Sequence, residues 1–339
     1  MSGFVTRLVT LAVLAISSPT ACGGGPQEPT DSEFPVLGGP YLGQTPPGLT
    51  PQRFGPAAVR ANSRWWWHSS PGFSPDGMEM YWAKYVRSET PAMQLAFTSG
   101  RSGQWAVPAR PSFARNVDEN QPRFSADGNS MLYVSTAAPG HIFRVTRSGS
   151  VWSQPASLSL QGLPSGGWGW YWAVAGDGSI YVDGDLGHGA GQDLFRHAWT
   201  GGGYGAPQAV SVNTQYGEGQ PCVAPDESYL IFASNRPGGR GLHDLWVAFR
   251  QDGGAWSQPV NMGADVNSSN EDSSPYLTAD GLYLFFTTAR SGDAGYTPYW
   301  VSTALIDSIG VRAGVYSTSS ATRSARASAR SFAGERLPT

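Results

Sequence analysis

Little of this 339-residue chain is charged: 14% of positions, with Lys84 the only lysine. Arginine fills the other basic positions, which reads as a coding bias and carries no functional message. Cysteine is scarcer still, with Cys22 and Cys222 alone, so no disulfide framework can be drawn. Cys222 lies in an apolar run and reads as a small buried hydrophobe. There is no Gly-x-Ser-x-Gly elbow, and neither cysteine has a nucleophile's surroundings. His141, His188, His197 and His243 are scattered without metal-ligand spacing and read as surface or satisfied side chains. The stretch SNRPGGRG (234–241) is glycine-rich but precedes no helix, so it reads as a turn and not as a phosphate cradle.

Glycine (44), proline (26) and aromatic residues (12%) are plentiful, as many short strands joined by tight turns require. An apolar fraction of 40% suffices for a sizeable core. The N-terminus carries Arg7, an apolar run from Leu8 to Ile16, and small residues up to Cys22. That order predicts a secretory signal over 1–22, too short to remain as a membrane span. Cys22 precedes three glycines and resembles a bacterial lipoprotein processing site, where a lipid joins that cysteine; Pro19 replaces the aliphatic residue usual there. The expectation is an exported protein, periplasmic or anchored at the outer membrane through this lipid alone, with plain secretion as the alternative. Residues 23–40 read as a flexible linker, 41–311 as the folded domain, and 312–339, rich in Ser, Ala and Arg, as a disordered tail. Setting aside Arg7 and the tail's five arginines and one glutamate turns the formal charge of −3 into about −8 for the middle. So acidic a domain argues against nucleic acid as a partner.

The middle repeats. PGFSPDGMEMYWAKY (71–85), QPRFSADGNSMLYVST (121–136), YWAVAGDGSIYVDGD (171–185), QPCVAPDESYLIFAS (220–234) and SPYLTADGLYLFFTT (274–288) each set an Asp-Gly or Asp-Glu turn between two apolar strands. The turn aspartates are Asp76, Asp127, Asp177, Asp226 and Asp280, close to fifty residues apart. A third strand follows in each unit, such as DLFRHAW or DLWVAFR. A fourth is expected at GQWAVP (103–108), SVWSQP (150–155), GGYGAP (202–207) and GAWSQP (254–259). Four antiparallel strands per unit predict an all-β fold, a β-propeller of five blades, with six as the alternative count. The fifth unit lacks a fourth strand, and PQRFGPAAV (51–59) is expected to supply it, closing the ring and leaving no open edge.

These hairpins, above all APDESYLIFASNRPGGRGLHDLWVAFRQDGGAWSQPVNMGADVNSSNEDSSPYLTADGLYLFFTTAR (224–290), resemble the WD40-like β-propeller repeats of TolB-type exported bacterial proteins. YLGQTPPGLTPQRFGPAAV (41–59) is similar to the segment that opens many single-domain members. The resemblance implies that each blade's first strand is innermost and that the protein binds or scaffolds other molecules of the envelope as a monomer.

On that register, His68, Glu119, Gly169, Glu218 and Asp272 stand eight residues before the turn aspartates, near one mouth of the central channel. One histidine and three carboxylates could hold a divalent cation there. Alternatively each acid accepts backbone amides of a neighbouring blade as a structural clasp. One position earlier stand Trp67 and Trp168, and Trp168, Trp170 and Trp172 alternate along one strand face. Rings beside carboxylates suit saccharides, whereas packing between blades is the plainer use of tryptophan. Two functions follow: a non-catalytic binding or scaffolding protein without cofactor, whose partner is an envelope protein, or a carbohydrate-binding protein or carbohydrate-active enzyme. The second would use His68, Glu119, Glu218, Asp272, Trp67 and Trp168, with Glu119 and Glu218 as paired carboxylates of a glycoside hydrolase or lyase.

Overall fold

Each unit folds around its aspartate. Asp76, Asp127, Asp177, Asp226 and Asp280 accept the amide two residues ahead, at Met78, Asn129, Ser179, Ser228 and Leu282, over 2.8–3.0 Å. Such Asx turns hold the chain in a tight reversal. The next residue takes a positive φ, and four of the five units put glycine there; the fourth puts Glu227 there at φ 53°. The computed structural model describes residues 35–60, 69–85, 89–137, 142–158, 160, 168–184, 192–290 and 296–315.

The chain opens with β1 (Gln52–Arg53) and a helical turn, α1 (Ala57–Arg60). Blade one holds β2 (Gly72–Phe73), β3 (Glu79–Tyr85) and β4 (Met93–Ser99). Blade two follows with β5 (Glu119–Phe124), β6 (Ser130–Ser135), β7 (Ile142–Ser148), β8 (Val151–Trp152) and β9 (Ala156–Ser157). Blade three comprises β10 (Trp168–Val174), β11 (Ile180–Gly184), β12 (Asp193–His197) and β13 (Gln208–Ala209). Blade four comprises β14 (Glu218–Val223), β15 (Tyr229–Ser234), β16 (Asp244–Phe249) and β17 (Val260–Asn261). Blade five has β18 (Asp272–Leu277), β19 (Tyr283–Thr288) and β20 (Thr297–Ser302), after which comes the helix α2 (Ala304–Arg312). All pairings within the sheets are antiparallel, and β1 joins blade five by pairing Gln52 with Trp300 and Arg53 with Tyr299.

The fold is therefore a five-bladed β-propeller closed by its N-terminal strand. Five apolar clusters, one between each pair of adjacent blades, hold the ring. The cluster of Phe54, Phe73, Trp82, Phe285 and Trp300 joins the last blade to the first. β6, β15 and β16 are buried along their whole length, as strands covered on both faces must be.

Three expectations shift. The outermost strands begin just beyond the motifs expected to form them: β9, β13 and β17 have two residues each, and blade one has only a bridge between Phe97 and Ala109. Trp152 and Trp256 instead close the hairpin after the third strand, pairing with Arg147 and Arg250. The end of the expected linker belongs to the packed fold, since the Trp105 amide and indole donate to Leu37 and Gly39. Finally, residues after β20 form α2, whose Leu305, Ile306 and Ile309 fill the cluster between blades four and five. The signal, Cys22 and most of the tail lie outside the described residues.

Candidate functional site

The strands β5, β14 and β18 begin with Glu119, Glu218 and Asp272, exposed by 1% or less. Each carboxylate is bound by the chain that leads into its own strand. Glu119 accepts the Arg115 amide at 3.0 Å, Glu218 the Thr214 amide at 2.6 Å and Asp272 the Ser268 amide at 2.6 Å, always from four residues earlier. The hydroxyls of Ser135 and Ser234, on the neighbouring strands, donate to Glu119 and Glu218. Arginines complete the arrangement: Arg236 lies 3.0 Å from Glu218, and Arg290 lies 3.7 Å from Asp272. Both also donate to carbonyls of the connection between blades, Arg236 to Val212 and Arg290 to Val266.

Glu119, Glu218 and Asp272 thus serve as separate clasps, each fastening an interblade connection to its strand, and the bonds just described do not bring them together. Asp118, next to Glu119, stands outside the clasps and accepts the Met93 amide of blade one at 2.8 Å. Burial pushes the Glu119 carboxyl up to about 7 against the opposing effect of Arg115, and raises Asp272. His68 and Trp67 lie outside the described residues. Trp168 opens β10 opposite Gly184, but the register shifts between Trp168 and Trp172, so strict alternation does not carry through. Trp172 is buried in the cluster between blades two and three. Among the described residues no group of three or more His, Cys, Asp or Glu could hold a metal.

The remaining histidines in view are fixed. The buried His197 ring bonds the Gly205 carbonyl through Nδ1, and burial lowers its basicity. His243 pairs with Glu271 of the next blade at 3.0 Å, which raises its basicity. Cys222 is a free, buried thiol, and burial pushes it up to about 12.

A second arrangement, one not anticipated from the sequence, lies further along the same strands. β5, β14 and β18 each carry one extra residue against their partners, a β-bulge, and within it Gln121, Gln220 and Ser274 have φ of 50–56°. Each precedes proline (Pro122, Pro221, Pro275), which keeps it out of the right-handed helical region. Left-handed backbone in a non-glycine residue costs about 1–2 kcal/mol. Hydrogen bonds across the axis hold it. Arg123 donates to the Ser70 carbonyl at 2.9 Å and to Gln121 Oε1 at 2.5 Å. The Ser70 hydroxyl donates to the Ser274 carbonyl at 2.5 Å, and the Ser274 amide to Gln220 Oε1 at 2.5 Å. The Gln220 amide donates to Asp183 at 3.0 Å, and Asp183 also accepts the Tyr171 amide at 3.3 Å. This belt runs through all five blades and fills the middle of the channel with polar groups.

On the turn side of the belt lies a cavity of about 120 Å³. It is lined by Arg123, Trp172, Val174, Val223 and Leu277, and it reaches the turns at Ala126, Gly178 and Ala279. The cavity and the clasps therefore lie toward opposite ends of the inner strands.

No protein-family model and no curated protein matches this chain. Solved structures similar to it include a putative TolB from Agrobacterium tumefaciens, at 18% identity and a TM-score of 0.45, over 69% of this chain and 76% of that one. TolB from Acinetobacter baumannii matches at 13% identity and a TM-score of 0.44, over 67% of this chain and only 50% of the other. A GH43_12 protein from a capybara gut metagenome matches at 13% identity and a TM-score of 0.42, over 68% of this chain and 50% of that one. The propeller itself rests on the chain's own sheets and closure. The chain is a five-bladed β-propeller closed by its own N-terminal strand.

Proposed function

We propose that this protein is an exported, non-catalytic binding or scaffolding module of the bacterial cell envelope, with Cys22 as the site of a lipid anchor. The observation that carries the non-catalytic reading is the engagement of the three acids that open the inner strands. Glu119, Glu218 and Asp272 are buried, and each is held by an amide of the chain leading into its own strand. A carboxylate held by several donors is poorly placed to exchange protons with a substrate. The N-terminal sequence supports export, and the acidic middle supports a partner other than nucleic acid.

The test incubates the full-length protein with chromogenic glycosides and with cell-wall and plant oligosaccharides, and follows both turnover and melting temperature. No turnover is expected, and Glu119→Gln and Glu218→Gln should lower the melting temperature. Turnover that Glu218→Gln abolishes at an unchanged melting temperature would overturn the reading in favour of a carbohydrate-active enzyme. A saturable stabilisation by an oligosaccharide that His68→Ala removes would make saccharide the ligand.

A further inference from the structure

Arg123 is a buried charged group without a counter-charge among the described residues. It is the penultimate residue of β5 and is only 8% exposed. Its partners are the Ser70 and Pro122 carbonyls, Gln121 Oε1 and the ring of Tyr276, whose centroid lies 4.1 Å from the guanidinium carbon. Among the described residues no carboxylate lies within ion-pair distance of it, unlike Arg147, Arg196 and Arg236, each paired with a glutamate. Burial pushes the guanidinium down to about 10, which still leaves it protonated at neutral pH. A buried cation is costly unless paired, so the site favours an anion.

Among the described residues that line the cavity, none carries a competing negative charge. Arg123 lines the central cavity of about 120 Å³ together with Trp172. The buried indole N–H of Trp172 and the buried amide nitrogen of Gln121, which adjoins Arg123, have no hydrogen-bond partner among the described residues. The other walls are apolar, with Phe124, Val223 and Leu277, and Cys222 remains a neutral thiol there. One guanidinium matches a single negative charge, and apolar walls match a hydrocarbon body.

We propose that the central cavity binds a small organic monocarboxylate, its carboxylate on Arg123 and its apolar part toward the turns of blades two to five. This site is separate from the clasps, and it stands whether or not the protein proves catalytic. The ligand enters from the turn face, where Ala126 forms part of the wall.

The test titrates the full-length protein by calorimetry with pentanoate, with pentanamide of matching shape, and with inorganic phosphate. Saturable binding of pentanoate is expected, at least about tenfold tighter than pentanamide, the scale of one charge-assisted hydrogen bond. Arg123→Met should abolish the preference for the acid. Because that change also alters the belt, Ala126→Phe serves as a second variant: it leaves Arg123 in place, fills the cavity from its rim and should weaken pentanoate by a similar factor. Absence of saturable pentanoate binding overturns the proposal, as does equal affinity for pentanamide. Phosphate binding in place of pentanoate would make this a site for inorganic anions and overturn it too, as would pentanoate binding that both folded variants retain. None of these results bears on glycoside turnover, so the two readings fail separately.

Discussion

The hydroxyl of Tyr41, ahead of the first blade, donates to the carboxylate of Asp280 in the turn of the last, at 3.1 Å. Tyr41 also packs edge-on against Phe73 of blade one at 4.9 Å between ring centroids. One side chain thus fastens the N-terminal segment across the closure of the ring. Tyr41→Phe keeps the ring contacts and removes the bond. It should lower the unfolding free energy by about 1 kcal/mol in urea, the usual net worth of a hydrogen bond. A midpoint equal to that of the parent protein would show that the apolar cluster alone fastens the closure.

Glu218 accepts from the Thr214 amide and hydroxyl, from the Ser234 hydroxyl and from Arg236, with no exposed surface of its own. Glu218→Gln leaves the Arg236 charge half-buried without its partner and replaces an acceptor by a donor. A loss of about 3 kcal/mol is expected, the lower end of the cost of breaking a buried pair. Urea unfolding measures it, and a loss below about 1 kcal/mol would show that the clasp is dispensable.

Burial pushes the carboxyls of Asp183 and Glu119 up to about 7. In the unfolded chain both ionise near pH 4. Between about pH 4 and pH 7 the folded protein therefore holds more protons than the unfolded one, and the contribution of these groups to stability falls as pH rises through that window. Asp183→Asn should flatten the fall when unfolding free energy is followed across it. An unchanged slope would remove Asp183 as a source.

Glu227 occupies, at φ 53°, the turn position that the sister blades give to glycine. Glycine there would relieve about 1 kcal/mol of strain. The glutamate, however, accepts the Tyr181 hydroxyl at 2.5 Å and Arg196 of blade three at 2.8 Å, bonds worth about 1.5–3 kcal/mol where a charge takes part. Glu227→Gly should therefore destabilise by about 1 kcal/mol net, because the lost bonds outweigh the relieved strain. A stabilised variant in thermal unfolding would show that strain dominates.

The proposed lipid anchor rests on Cys22 alone. Cys22→Ser should move the protein from the membrane fraction to the soluble fraction of cells exporting the full chain, and an unchanged distribution would favour plain secretion.

The repeat was legible because each hairpin is a local solution: an Asp side chain fixes its own turn, and alternating apolar residues fix the flanking strands. Gln52 and Arg53 were legible as the closing strand for the same reason, the fifth unit being one strand short. The outer strands were misplaced by a few residues because strand length at an edge is set by the neighbouring blade and not by local pattern. The acids at positions 119, 218 and 272 could be aligned from their spacing, but the choice between clasp and ligand site depends on which donors surround them. The repeat before proline hinted at something special in Gln121, Gln220 and Ser274, yet nothing local announces a left-handed residue inside a strand.

By itself the sequence determined the blade and the manner of closure, since these follow from turn chemistry and short-range periodicity, while the choice of five blades over six came from the assembled sheets. Only the tertiary structure decided what stands on the axis. Arg123 meets the Ser70 carbonyl of the preceding blade and the Tyr276 ring of the last, and the second contact joins blades that are distant in sequence and meet only in the closed ring.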